Sequence, residues 1–155
     1  MTLNPELVKK IKALCAEGYR RYDQGAYKEA LRLFYKAWTL VPKPPTEHAE
    51  AGWVLTAIGD CYFRTGQWDQ GRESLASALR CPGMLGNPFI HLRLGQCLLE
   101  QGLLEPGKNE AAREHLELAY INGGSKLFQN EAPRYLIAAM QNVSANDVLT
   151  DEEKA

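Results

Sequence analysis

The chain has 155 residues, of which 45% are hydrophobic and 24% are charged, and its formal net charge is −1. This balance is that of an ordinary globular protein, so the composition excludes a disordered or fibrous chain. The near-neutral charge argues against a general nucleic-acid binder, which needs a basic excess. No apolar run reaches the roughly 20 residues of a membrane span, and no secretory signal is visible, so we expect a cytoplasmic protein.

Charge is distributed unevenly along the chain. Residues 1–47 hold nine Lys and Arg against five Asp and Glu, whereas residues 87–155 hold six against ten. The chain is therefore basic at one end and acidic at the other, and it presents two different faces to partners.

Caps and helix breakers predict seven helices. Asn4-Pro5 and Asn87-Pro88 each place an N-cap residue before a proline at the first helical position. Thr46 with Glu47 predicts the start of the helix that follows the proline-rich linker. The seventh helix, with a break near Pro133, is expected to cover the last apolar face. The predicted helices span residues 5–24, 27–41, 47–65, 68–81, 88–101, 108–122 and 126–142.

Three pairs of glycines recur at one spacing. In each pair the two glycines are seven residues apart: Gly18 and Gly25, Gly59 and Gly66, Gly95 and Gly102. The second glycine of each pair follows a helical pattern and fits a left-handed helix end. The first lies two turns earlier on the same helix, where glycine costs up to about 1 kcal/mol relative to alanine. We therefore expect a neighbouring helix to approach closely at each first glycine.

The segments after the turn glycines repeat as well. Ala30, Phe34 and Ala37 follow Gly25, and the later turn glycines are followed by matching small and large residues: Gly71, Leu75 and Ala78, then Ala112, Leu116 and Ala119. The third set comes five residues late, so 103–107 is interpreted as an insertion.

These residues carry a resemblance to a known family. The segment Leu55-Thr56-Ala57-Ile58-Gly59-Asp60-Cys61-Tyr62 closely resembles the first-helix signature of the tetratricopeptide repeat, and Ala30-x-x-x-Phe34 followed by Pro42 resembles its second. The resemblance spans about residues 11–123. It implies an all-α solenoid of three helix-turn-helix repeats plus a C-terminal capping helix. The implied organisation is one domain over 1–143, with repeats at 11–42, 47–82 and 88–123, a capping helix at 126–142, and a frayed acidic tail at 144–155.

Catalytic constellations are not visible in the sequence. His48, His91 and His115 lie on different predicted helices, and none has a second histidine or cysteine at helical metal-ligand spacing. The four cysteines form no C-x-x-C pair and are expected to be reduced, mostly buried thiols. We therefore expect no catalytic residue, no metal, no cofactor and no enzymatic activity.

A binding surface is expected on the first helix of each repeat, which lines the concave side in this family. Aromatic side chains mixed with Arg and Asp suit protein binding. The alternative is that Tyr22 and Phe63 serve internal packing and that Trp53 covers the linker. The residues expected to line the groove are Lys12, Cys15, Tyr19, Tyr22, Asp23, Trp53, Thr56, Asp60, Phe63, Arg64, Phe89, Leu92, Arg93, Gln96 and Leu99. Among them Tyr22, Phe63 and Leu99 are predicted to form an apolar ridge.

Subfamily resemblances refine the expected partner. Heat-shock cochaperones of this family grip a C-terminal carboxylate of their partner with Lys, Asn and Arg side chains. Of the matching positions in this chain only Arg93 has suitable chemistry, so the sequence excludes this subclass. The stretches 37–44, 57–63 and 81–96 resemble small bacterial tetratricopeptide proteins encoded beside polymorphic toxins of Rhs or contact-dependent type. That resemblance implies an immunity protein that binds and blocks a toxin domain. The translocator chaperones of type III secretion, which clamp an extended segment, are a second resemblance.

The predicted function is therefore stoichiometric protein binding by a monomer or weak dimer. The expected partner is one protein, either a toxin domain or an extended peptide segment, with no nucleic acid and no membrane. An immunity protein is the leading hypothesis, and a secretion chaperone or a general scaffold is the alternative.

Overall fold

A computed structural model describes residues 2–102, 107 and 109–141. Across those residues the chain forms seven α-helices and no strand, so the predicted all-α fold of helical repeats is confirmed. A short 3₁₀-helix at Pro45–Glu47 lies between the second and third α-helices, and another at Ser125–Phe128 lies between the sixth and seventh. The helices are α1 Pro5–Asp23, α2 Tyr27–Leu40, α3 Ala49–Arg64, α4 Trp68–Leu79, α5 Pro88–Gly102, α6 Asn109–Gly123 and α7 Pro133–Met140.

The chain divides into two compact units, Met1–Leu85 and Gly86–Ala155. In the first unit α1 packs on α2, α2 on α3, and α3 on α4. In the second, α5 packs on α6 and α6 packs on α7. Consecutive helices are thus the packing partners in each unit, as in a stack of helical hairpins. The single domain expected over 1–143 stays a prediction.

The second helix of each hairpin buries the same three register positions. Two small residues flank one large residue, four and three positions away, so all three lie along one face of the helix. The buried residues are Ala30, Phe34 and Ala37 in α2, Gly71, Leu75 and Ala78 in α4, and Ala112, Leu116 and Ala119 in α6. The repeated pattern in the sequence is therefore the core-facing stripe of each second helix.

The first glycine of each pair lies directly beneath that large side chain, as predicted. A Cβ added at Gly18 would overlap the ring of Phe34, and one added at Gly59 would overlap Leu75. At Gly95 the added atom would lie 2.7 Å from Leu116 Cγ and 3.1 Å from the Ala112 carbonyl oxygen. The prediction of close helix approach at all three glycines is confirmed.

The second glycines behave differently from one another. Gly25 and Gly66 have φ of 77° and 73°, so the predicted left-handed helix ends are confirmed there. The prediction is wrong for Gly102, which is the last residue of α5 and has no positive φ. Its missing side chain instead makes room for Asn109, whose side chain an added Cβ would overlap.

Helix starts follow the predicted caps at two places and depart from them at one. Asn4 Oδ1 accepts the Glu6 backbone N–H at 2.8 Å, and Asn87 Oδ1 accepts that of Phe89 at 2.9 Å. The predicted start of the third helix at Thr46 and Glu47 is wrong. Residues 45–47 form a 3₁₀ turn, and His48 is extended (φ −123°, ψ 128°), so α3 begins only at Ala49.

The C-terminal cap is also divided rather than continuous over 126–142. A 3₁₀-helix covers Ser125–Phe128, and α7 begins at Pro133, which lacks an N–H and forces Ala132 into an extended conformation. Tyr135 is buried, whereas Ile137 is exposed. The expected tail at 144–155 lies outside the described residues, as does the 103–107 insertion apart from Gly107.

No helix in the described part of the chain is both long enough and apolar enough to cross a membrane.

Replacing Gly59 by alanine tests the close contact between α3 and α4. The added methyl group meets Leu75 near its branch point, which cannot swing away, so we expect a loss of about 1–3 kcal/mol in the free energy of unfolding. Urea denaturation followed by circular dichroism measures it. The matched control is Gly86→Ala, because an added Cβ there meets nothing within 4 Å. Equal stabilities of the two variants would contradict the proposed packing.

Candidate protein-binding face

The first helices of the first unit, α1 and α3, present an exposed cation–aromatic pair. Lys12 Nζ lies 5.4 Å from the ring centroid of Trp53, and Trp53 is 37% exposed. Thr56, one turn further along α3, is half-buried and donates its hydroxyl hydrogen to the Gly52 carbonyl oxygen at 2.7 Å. Lys12 and Trp53 are therefore both exposed, and their contact with a partner stays a prediction.

A polar network ties α1 to α3 beyond this pair. The Tyr22 hydroxyl donates to Asp60 Oδ1 at 2.7 Å, and Arg64 Nε donates to the Tyr22 oxygen at 2.7 Å. Asp60 is only 2% exposed, so its carboxylate needs such partners. Arg64 is exposed and lies 5.7 Å from the ring centroids of both Tyr22 and Phe63.

This network corrects part of the expected groove. Asp60 and Phe63 were predicted as surface contacts, but both are buried. Phe63 packs on Trp68 with ring centroids 5.7 Å apart, and Tyr22 packs on Tyr27 at 5.2 Å. The internal-packing interpretation of Tyr22 and Phe63 is therefore the one that the structure supports, because their rings fill the ends of the hairpins.

Tyr19 and Cys15 occupy the half-buried part of the same face. The Tyr19 ring packs edge-on against Phe34 at 5.0 Å. Burial, and then the Asp60 charge, raise the pKa of the Tyr19 hydroxyl far above its usual value, so it stays neutral. Burial also raises the pKa of the Cys15 thiol to about 11, which leaves little reactive thiolate near neutral pH. Asp23, at the end of α1, is exposed.

In the second unit, the predicted groove residues of α5 are largely buried. Arg93 is 3% exposed and its Nη1 donates to Gln96 Oε1 at 2.8 Å and to Glu131 Oε1 at 2.7 Å. Gln96 Nε2 donates to the same Glu131 oxygen at 2.7 Å, and the Arg93 guanidinium stacks on Phe89 at 4.9 Å. Arg93 and Gln96 were expected to contact a partner. Instead they bind Glu131, from the turn before α7.

A second cluster covers the end of α5. Glu100 accepts hydrogen bonds from Arg134 and from the Tyr135 hydroxyl. Leu99, next to it, and Phe89 are half-buried. The charge of Glu100 within an otherwise apolar stretch of α5 was the available signal for this cluster, and sequence reasoning did not use it. Because Tyr22 and Phe63 belong to one unit and Leu99 to the other, the ridge joining them stays a prediction.

Two histidines that seemed unrelated in the sequence meet between α5 and α6. His91 Nδ1 and His115 Nδ1 are 2.9 Å apart, and the rings stack with centroids 5.1 Å apart. One nitrogen donates and the other accepts, so the bond requires at least one neutral ring. Burial, and then the neighbouring His91, lower the pKa of His115 below its usual value of 6.5.

The His115 pKa predicts a pH dependence of stability. Because the folded state disfavours protonated His115, the unfolded state binds more protons below about pH 6.5, and stability falls as the pH is lowered. We expect His115→Gln to show a smaller loss of unfolding free energy between pH 7.5 and about pH 5 than the parent chain. Urea denaturation at each pH measures it, and parallel curves for the two proteins would contradict the prediction.

Glu131→Ala tests the buried pair at α5. The substitution leaves the Arg93 charge buried without this carboxylate, whose side chain is only 8% exposed, so we expect a loss of about 3–5 kcal/mol in stability. Thermal and urea unfolding measure it. Glu110→Ala, at an exposed position of α6, is the control and should change stability by less than about 0.5 kcal/mol. If Glu131→Ala leaves the free energy of unfolding unchanged, the Arg93–Glu131 pair does not stabilise the fold.

Comparison with known proteins agrees with this architecture for part of the chain. Residues 21–81, from the last turn of α1 through α4, match the tetratricopeptide repeat family. None of the curated proteins matches the chain. Within the described residues, no group of three or more His, Cys, Asp and Glu side chains is placed to hold a metal ion. Residues 21–81 are thus similar to the tetratricopeptide repeat, a kind of domain that generally binds protein partners.

Proposed function

We propose that this chain is a non-enzymatic protein-binding module, and that it serves as an immunity protein that binds and neutralises a cognate bacterial secreted toxin in the cytoplasm. The protein-binding part rests on the tetratricopeptide repeat segment at 21–81. The toxin part rests on the resemblance of residues 37–44, 57–63 and 81–96 to small bacterial tetratricopeptide proteins encoded beside polymorphic toxins.

The observation that carries the proposal is the exposed pair formed by Lys12 and Trp53. Trp, Tyr and Arg dominate the energetics of protein interfaces, and Trp53 is a large aromatic side chain left 37% exposed. Lys12 Nζ lies 5.4 Å from the centroid of its ring, and this cation–π contact favours the arrangement of the two side chains. A partner side chain that packs on Trp53 removes exposed aromatic surface from water, which favours binding.

The charge of this face indicates what the partner offers. Residues 1–47 carry an excess of basic residues. The exposed residues Lys12, Trp53 and Arg64 form what we call the α1–α3 face, and two of the three are cations. An acidic partner surface matches this charge and is steered towards it during association. We therefore propose that the toxin domain presents carboxylates around an apolar patch, and that the patch covers Trp53.

The absence of enzymatic activity remains part of the proposal. Catalysis needs a nucleophile with a base, a pair of carboxylates or a metal constellation. Among the described residues, His91 and His115 are two side chains of a type that often serves as a catalytic base. Their Nδ1 atoms are hydrogen-bonded to each other. The buried carboxylates Asp60 and Glu131 are likewise held by hydrogen bonds within the chain.

Co-expression with the product of the neighbouring gene, which this proposal expects to carry the toxin domain, tests the proposal. An immunity protein forms a complex that persists on size-exclusion chromatography and restores growth of cells that produce the toxin. Binding without rescue favours the alternative of a secretion chaperone or scaffold, which holds an extended segment rather than blocking an active domain. Neither complex nor rescue would overturn the proposed function.

Substitutions at the exposed pair locate the site. We expect Lys12→Glu combined with Trp53→Ala to weaken the complex by about 2–4 kcal/mol, measured by isothermal titration calorimetry. Trp53→Phe should retain most of the affinity because an aromatic ring remains. Lys10→Glu is the matched control: it makes the same charge change on an exposed residue of α1 whose position is turned away from that of Lys12. An unchanged affinity for the double variant would place the site elsewhere.

A further inference from the structure

The exposed side of α2 carries a cleft that takes no part in the α1–α3 face. The cleft has a volume of about 400 Å³ and is lined by Lys28, Leu31, Arg32 and Tyr35. These residues are spaced three and four apart, so they lie along one side of the helix. Tyr35 also lines an adjoining cleft of about 260 Å³, whose other walls include Trp38 and Leu55.

The aromatic wall of the cleft is held in place from α3. Tyr35 is 41% exposed, and its hydroxyl lies 2.7 Å from that of Tyr62. The two rings meet edge-on with centroids 6.5 Å apart. Leu31 beside it is half-buried. Among the described residues the cleft therefore offers an aromatic and aliphatic surface against which an apolar side chain can pack.

The rim of the cleft is basic. Lys28 and Arg32 are both exposed, and within the described part of the chain neither forms an ion pair. The adjacent Glu29 is directed to Arg21, with Oε2 and Nη1 3.7 Å apart. Two cations one helical turn apart thus face solvent beside an apolar floor, and their charge is complementary to carboxylates at a similar spacing.

We propose that this cleft is a second protein-binding site, and that it takes an acidic segment of a partner protein that carries one large apolar side chain. The apolar side chain packs against Tyr35 and Leu31, and flanking carboxylates pair with Lys28 and Arg32. A nucleic acid fits less well, since Glu73 lines the adjoining cleft and repels phosphates, and the chain lacks an overall basic excess. The site lies on α2 and does not depend on the α1–α3 face.

A designed peptide tests the site on the full chain. The probe is N-acetyl-Glu-Glu-Phe-Glu-Glu-amide, titrated into isotopically labelled protein while amide chemical shifts are recorded. We expect shifts centred on residues 28–35, and an at least tenfold weaker affinity for the Lys28→Glu, Arg32→Glu double variant. Lys10→Glu is the control and should bind like the parent chain. Retained dispersion of the amide spectrum shows that each variant is folded.

Comparison probes decide whether the contact is specific. The peptide in which lysine replaces each glutamate should not bind, because like charges meet at the rim. Shifts centred away from residues 28–35 and the α3 residues that contact Tyr35, equal binding of the basic peptide, or unchanged affinity of the double variant would overturn the proposal. So would perturbation of residues 28–35 by a ten-nucleotide oligothymidine but not by the acidic peptide, which would assign the site to nucleic acid.

Discussion

One steric constraint organises the described helices: a glycine of each first helix lies beneath a large apolar side chain of the second. The facing residues are Gly18 and Phe34, Gly59 and Leu75, Gly95 and Leu116. Interiors are packed so densely that a methyl group at any of these glycines has no space. The contact fixes which side of each first helix turns towards its partner helix, and it thereby determines which polar side chains remain on the other side.

The two units use that remaining side differently. In the first, Asp60 is buried and accepts a hydrogen bond from Tyr22, while Lys12 and Trp53 stay exposed on the same two helices. In the second, the buried guanidinium of Arg93 is bonded to Glu131. A charge removed from water needs such a partner, and the turn before α7 supplies it. The accessible part of the expected groove that the structure describes is therefore concentrated on α1 and α3.

The sequence predicted local geometry better than burial. The glycine pairs, the small–large–small stripes and the Asn-Pro caps depend on residues close in the chain, and apart from Gly102 they match the structure. The burial of Arg93 depends on Glu131, which is 38 residues away, and the His91–His115 contact joins helices whose register no local pattern reveals. An arginine on a first helix looks the same in sequence whether a partner protein or the chain itself binds it.

The third hairpin shows that packing and loop length are independent in this architecture. Leu116 comes 14 residues after Gly102, whereas Leu75 comes nine after Gly66, yet both cover a glycine seven residues before the turn. Lengthening a loop costs little chain entropy, about 0.6 kcal/mol for each doubling. The same interhelical contact therefore forms with a longer connection, and we expect sequence inserted at this turn to leave the glycine contact in place.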